Sequence, residues 1–383
     1  MYEGLIRFIR EQYRGAEVIP LHAPVMGGRE KQLVIECIDS TYVSSVGAFV
    51  SRFECEIAKY TGSPRAVAAV NGTAALHLAL CLAGVQRGDL VITQSLTFVG
   101  TCNAIAYCGA EPLFIDVDRL TLGLSPDAVE QWLLDNAKVS ADGLCRANSD
   151  GTVIRACVPM HTFGHPADLD GLVDVCGRWN LALVEDAAES LGSLHKGRHT
   201  GTYGTLGVLS FNGNKIITTG GGGMILAAEP LCRRAKHLST TAKKPHAYEF
   251  AHDEVGYNYR LPNINAALGC AQLERLDSFV AAKRILAERY AQRLQGGDLQ
   301  FVAEPPGCRS NYWLNAVICE NRRHRDALLE VTNHQGVMTR PIWTLMQRLP
   351  MYAHCRAGDL AVSEWLEERV VNLPSSVPPE FLS

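Results

Sequence analysis

Lys215 stands between an apolar segment and a run of four glycines, in LGVLSFNGNKIITTGGGG from Leu206 to Gly223. Upstream, a second apolar run, LALVEDAAES from Leu181 to Ser190, ends in carboxylates. A lysine at one strand end and a carboxylate at a neighbouring one suit a pyridoxal phosphate site. The amine condenses with the aldehyde, and the carboxylate keeps the pyridine nitrogen protonated so that the ring accepts electrons. Glu185 and Asp186 are adjacent, and neighbouring side chains of a strand point to opposite faces, so at most one meets such a site. Asp186 beside the ring would stabilise its protonated form by charge attraction. Glu189, three residues on, could reach the ring hydroxyl. The same acidic cluster would equally suit the first turn of a following helix.

Two other segments add to the pattern. NGTAALHLAL, Asn71 to Leu80, follows an apolar run and opens an apolar helix. The free amides of such a helix start, with Gly72 and Thr73 beside them, form an anion site suited to phosphate; taken alone, the segment reads rather as a plain N-cap. TQSLTFVGTCNAI, Thr93 to Ile105, places Phe98 just after the next apolar run. An aromatic there could stack on a planar ring for roughly 0.5–1.5 kcal/mol beyond area burial, although most lone aromatics are core. Ser210 would add a hydroxyl to the phosphate site, and the glycines around Lys215 would let backbone approach closely.

These residues need elements to hold them. AVAAV (Ala66 to Val70), DLVIT (Asp89 to Thr93), PLFIDV (Pro112 to Val117), VIRACVPM (Val153 to Met160), LALVE, LGVLSF and GMILA read as strands separated by helical patterns. Continuous apolar runs between helices predict strands covered on both faces, hence an α/β fold with a mainly parallel sheet. Ligands in such sheets lie beyond the carboxyl ends of the strands, where Asn71, Asp186 and Lys215 fall. Leu261 to Leu294 reads as one long helical stretch, with apolar residues at three- and four-residue spacing. A loop at Pro305, Pro306 and Gly307, a strand in YWLNAVICE and a helix from Arg323 follow. The expected organisation is an N-terminal helical segment over 1–20, a large domain over 21–254 and a smaller α/β domain over 255–383.

Composition narrows the function. The 383 residues carry a formal net charge of −4, with no basic run that would mark a nucleic-acid surface. Thirteen cysteines are scattered without a CxxC pair, so they read as reduced, buried side chains of a cytoplasmic protein, and no metal site is expected. MYEGLIRFIREQYRG is an amphipathic helix rather than a signal peptide, and no stretch reaches the roughly 18 apolar residues of a membrane span.

In this order, NGTAALHLAL, GDLVITQSLTFVGTCNAIAYCGAEPLFIDVD, MHTFGHPADLDGL, VEDAAESLGS, GTLGVLSFNGNKIITTGGGGMI and GYNYRLPNINAALGCAQLERLD resemble the shared blocks of the DegT/DnrJ/EryC1/StrS sugar aminotransferases. That family belongs to the fold-type I, aspartate aminotransferase-like pyridoxal phosphate enzymes. The resemblance implies Lys215 as the lysine joined to the cofactor and as proton shuttle, and Asp186 on the pyridine nitrogen. It implies Glu189 near the ring hydroxyl, where many relatives carry glutamine, and Phe98 stacked on the ring. Gly72, Thr73 and Ser210 would hold the phosphate with the partner subunit's Asn258, which makes a homodimer with shared active sites. Relatives with histidine at the lysine position are dehydratases, so lysine implies transamination from L-glutamate. The finer likeness, through STYVSSVGAFVSRFE and GVMTRPIWTLMQRLPMY, is to C4 aminotransferases of the legionaminic acid type. These act on a nucleotide-linked 4-keto-6-deoxyhexose, with uridine the expected nucleotide and a bacterial surface polysaccharide the expected end product. Arg340 and Trp343 would then meet the nucleotide, and Asn103 and His161 the sugar or cofactor. Domain packing for the first pair, and a buried, satisfied histidine for His161, are the competing readings. The alternatives in function are a sugar dehydratase or C3 aminotransferase of the same family, or a non-catalytic regulatory member.

Overall fold

A computed structural model describes residues 2–382. Its main sheet has seven strands: β1 (Arg65–Ala69), β2 (Leu90–Gln94), β3 (Glu111–Ile115), β4 (Ile154–Val158), β5 (Ala182–Asp186), β6 (Leu206–Ser210) and β7 (Gly223–Ala227). They lie in the order β1-β7-β6-β5-β4-β2-β3. From β6 through to β3 every pairing is parallel; β7 alone runs against both its neighbours, β1 and β6. All seven segments were expected as strands, and the sheet is mainly parallel as their apolar runs imply.

Both faces of the sheet are covered, which is why the strands do not alternate in polarity. The described residues form twelve α-helices: α1 (Glu3–Gln12), α2 (Glu30–Asp39), α3 (Ala48–Thr61), α4 (Gly72–Leu82), α5 (Val99–Tyr107), α6 (Pro126–Asn136), α7 (Leu169–Arg178), α8 (Glu229–Ser239), α9 (Asn263–Leu273), α10 (Leu276–Leu294), α11 (Arg322–His334) and α12 (Ala361–Glu367). On one face α4, α5 and α8 pack on Val67, Val91, Val158, Val184, Val208 and Ile225. On the other, α6 and α7 cover Ile92, Leu113 and Leu183, while α3 and α9 cover Ala68, Leu209 and Met224.

A smaller antiparallel sheet follows, built from β8 (Gln300–Phe301), β9 (Asn315–Ile318), β10 (Arg340–Pro341) and β11 (Val370–Leu373) in the order β8-β9-β11-β10. The amphipathic α1 buries Leu5, Ile6 and Ile9 in the cluster that also holds Leu286 and Tyr290 of α10 and Val317 of β9. The stretch from Leu261 to Leu294 is two helices rather than one. α9 packs against α2 and α3, and the chain turns at Glu274 and Arg275 before α10 leaves towards the small sheet. Arg29 and Arg52 meet the Glu274 carboxylate at 3.2 and 3.1 Å at that turn. The spacing of apolar residues carries through the bend, so periodicity does not reveal it.

Lys283 of α10 is buried, with its amine donating to the Ser375 carbonyl just beyond β11. Burial pushes its pKa down to about 7 from an ordinary 10.5. Between these values the unfolded chain holds the proton and the folded chain does not. Stability therefore rises with pH across this window. Lys283→Met should remove that rise, worth of order a few kcal/mol, when denaturant unfolding of the two proteins is compared from pH 7 to 10. Parallel pH profiles would show that the buried amine does not titrate in this range.

Candidate active site

The carboxyl ends of β5 and β6, the first turns of α4 and α5, residues 313–314 just before β9 and residues 340–344 in and after β10 enclose a cavity of about 730 Å3. Leu21 and His22, from the extended segment before α2, complete its wall.

At the end of β5, strand alternation separates the two carboxylates. Glu185 turns away from the cavity and accepts from the amides of Gly201, Tyr203 and Gly204 at 2.6, 2.6 and 2.7 Å, with His161 Nε2 at 3.2 Å. Burial raises its pKa, but His161 and the amides outweigh it and hold the group below its ordinary value. Asp186 faces the cavity; its Oδ2 accepts from the Thr101 hydroxyl at 2.7 Å and its Oδ1 from the Ala188 amide at 3.2 Å.

Glu189 follows on the same wall. Its Oε2 accepts from the Phe163 amide at 3.0 Å, and Oε1 from Lys215 Nζ at 3.4 Å. Phe163 sits at φ 58°, a left-handed conformation costing a bulky residue roughly 1–3 kcal/mol. Burial, with help from the Asp186 charge, pushes the Glu189 carboxyl up to about 7; Lys215 and the Phe163 amide restrain the rise. Lys215 lies in a turn after β6, its amide donating to the Asn212 carbonyl at 3.0 Å. Its ammonium stands 4.1 Å from the centre of the Trp313 ring, whose Nε1 donates to the Asn214 carbonyl at 2.7 Å. The amine is thus held from one side by a carboxylate and from another by an aromatic face.

At the other end, Asn71 caps α4 by accepting from the Ala74 amide at 2.8 Å, leaving the Gly72 and Thr73 amides without intrahelical partners. A Cβ on Gly72 would stand 2.9 Å from Ser210 Cβ and 3.0 Å from its hydroxyl. A Cβ on Gly223 would strike the Asn71 carbonyl at 2.5 Å. Glycine at both positions lets the helix start close against β6 and β7, so that its amides, Thr73 and the Ser210 hydroxyl share one corner. Phe98, at the start of α5, is 50% exposed and lines the same cavity.

The cavity therefore gathers Gly72, Thr73, Phe98, Asp186, Glu189, Ser210, Lys215, Arg340 and Trp343. Three expected residues are not on its wall. His161 is fully buried between Glu185 and the Ala167 amide, the arrangement of a satisfied core histidine. Asn103 accepts from the Tyr352 hydroxyl at 2.5 Å. Asn258 is exposed, in a segment that pairs with Thr240. His22, Thr101 and Trp313 line the cavity without having been singled out in the sequence. His22 Nδ1 is buried with no protein partner, and burial, with Lys283 and Lys215 nearby, holds its pKa well below the usual histidine value. Its only signal was a polar residue between two prolines in IPLHAP.

An anion corner, a carboxylate apart from it, an amine between carboxylate and ring, and an open aromatic fit pyridoxal phosphate. The orphaned imidazole of His22 marks a further polar demand on whatever fills the cavity. Among the described residues no helix is long and apolar enough to cross a membrane.

A family model described as the DegT/DnrJ/EryC1/StrS aminotransferase family matches residues 24–378. GDP-perosamine synthase of Escherichia coli O157:H7 is 36% identical over 358 residues, covering 93% of each chain, and that of Vibrio cholerae is 35% identical, covering 94% of each. The crystal structure of the aminotransferase TlmJ from Streptoalloteichus hindustanus superposes with a TM-score of 0.84 at 32% identity, over 94% of this chain and 93% of that one. Through its sequence, its fold and the residues gathered in the cavity, the chain belongs to the DegT/DnrJ/EryC1/StrS aminotransferase family, which works with pyridoxal phosphate.

Proposed function

We propose that this protein moves an amino group from L-glutamate to a nucleotide-linked 4-keto-6-deoxyhexose, in the making of a bacterial surface polysaccharide. The observation that carries the reading is the Lys215 amine, held at 3.4 Å from Glu189 and over the Trp313 ring, on a cavity that continues to Arg340 and Trp343. Pyridoxal phosphate, when bound, supplies the electron sink that makes the hydrogen on an amino acid's α carbon removable. Gly72, Thr73 and Ser210 anchor the phosphate, and Asp186, fixed by Thr101, supplies the negative charge for the pyridine nitrogen. Phe98 offers its face to the ring. Lys215 Nζ, once free, takes the proton from the donor's α carbon and later delivers one to the sugar carbon that receives nitrogen. Glu189, accepting from Lys215 Nζ at 3.4 Å, holds the amine in place on the cavity wall.

The partner subunit's Asn258 completes the phosphate site in a homodimer, which its exposed position on this chain favours. Arg340 uses one terminal nitrogen on Asn333 and the Thr339 carbonyl and has others to offer a diphosphate at the cavity mouth. Both relatives named above make a GDP-linked sugar by their names, so guanosine replaces uridine as the nucleotide of this reading. The test is single-turnover amination of GDP- and UDP-linked 4-keto-6-deoxyhexoses by enzyme preloaded with glutamate, followed by mass spectrometry. Amination of the GDP sugar at a higher kcat/KM supports it. Preference for the UDP sugar returns the nucleotide to the expectation from sequence, and amination of neither removes this substrate class.

A further inference from the structure

α4 carries a second group of functional side chains beside the phosphate corner. His77 and Cys81 are four residues apart on one helical face, and Cys108, immediately after α5, comes up against them. The Cys81 and Cys108 sulfurs are 4.0 Å apart, and a ring nitrogen of His77 lies within 4.8 Å of both. A disulfide needs its sulfurs at about 2.05 Å, so these are two thiols. Two thiolates on a tetrahedral ion, with metal–sulfur bonds of about 2.3 Å, stand about 3.8 Å apart. The pair is already close to that edge, and the imidazole supplies the third vertex.

The surroundings suit a metal as well. The Tyr259 hydroxyl meets His77 Nδ1 at 3.2 Å, the kind of outer hydrogen bond that fixes the orientation of a ligand imidazole. The Tyr257 hydroxyl is 3.6 Å from the Cys81 sulfur. The rings of Tyr107, Tyr257 and Tyr259 stand edge-on to His77 at 5.9, 5.1 and 5.9 Å, which locks its position.

We propose that His77, Cys81 and Cys108 bind a thiophilic divalent cation of the zinc class, with water or the Tyr257 hydroxyl in the fourth position. Binding displaces the proton of each thiol to solvent and involves no redox step. The ion ties α4 and α5 together beside the Tyr257–Tyr259 segment, which also carries Asn258. The cysteines are too far apart in sequence to show a paired-cysteine signature, which is why no metal was expected; the packing of α5 on α4 supplies the third ligand.

Cobalt(II), added to the reduced full-length protein in its native oligomer, is the probe. The expected result is saturation at about one equivalent per chain, with sulfur-to-cobalt absorption in the near ultraviolet, visible bands of tetrahedral strength and displacement by zinc. Cys81→Ser and Cys108→Ser should abolish the sulfur band. Tyr259→Phe, which keeps the ring, should weaken binding about tenfold. His237→Ala, in the exposed group with Asp253 and Glu254, should change neither. Absence of a sulfur band in the wild-type protein, or a band that survives Cys81→Ser, overturns the proposal.

Discussion

Lys215→Ala should leave a folded protein whose aminotransferase turnover falls by more than about 10⁴-fold, since covalent attachment and proton transfer are lost together. The fold should survive because the amine makes only cavity contacts, with Glu189 and the face of Trp313. Losing its cation leaves Glu189 buried beside Asp186. A carboxyl already raised to about 7 then stays protonated instead of carrying an unpaired buried charge. The checks are circular dichroism, the visible absorption of pyridoxal phosphate on addition to the protein, and steady-state turnover. The variant should hold the cofactor through the phosphate corner and Asp186, with its absorption altered because no lysine is joined to it. Turnover within tenfold of wild type would remove Lys215 from the chemistry.

Asp186→Asn should lower kcat by about 10²–10³-fold, the usual cost of removing one oriented electrostatic contact to developing charge. The substitution is close to isosteric. Its amide oxygen can still accept from Thr101 or from the Ala188 amide, so packing at the end of β5 changes little. What is lost is the negative charge. The effect should therefore appear in both half-reactions, while the KM for the sugar nucleotide moves little because Asp186 ends β5 of the main sheet and Arg340 belongs to the small sheet. A large rise in sugar KM with kcat preserved would instead make Asp186 a substrate contact.

The strands were legible because burial on both faces writes itself as unbroken apolar runs, and most of the cavity residues singled out were legible because they follow the strand ends. Asp186 could be separated from Glu185 only in principle. Alternation said that one of them faces the cavity, and the amides of Gly201, Tyr203 and Gly204 show why Glu185 is the one that turns away. The opposite direction of β7 was not legible, since GMILA reads the same either way; it follows from the short return after Lys215 that pairs β7 with β6. Trp313 and His22 escaped notice for a different reason. Each comes from a segment distant in sequence, and a single aromatic or imidazole carries no sign of its destination. His161 and Asn103 show the converse. Their segments match the family's blocks, yet the side chains are spent on Glu185 and Tyr352.

The two walls of the cavity have separate origins. Lys215, Asp186, Glu189, Thr73 and Ser210 rise from the seven-stranded sheet and its helices, whereas Arg340 lies in β10 of the small sheet and Trp343 just after it. Such a division lets inheritance act on each wall alone. On the function proposed above, drift along residues 340–344 would change which nucleotide is accepted while the wall that carries Lys215 stays fixed. Exchange of that short segment between relatives, more than mutation near the lysine, is the route by which this architecture would diversify.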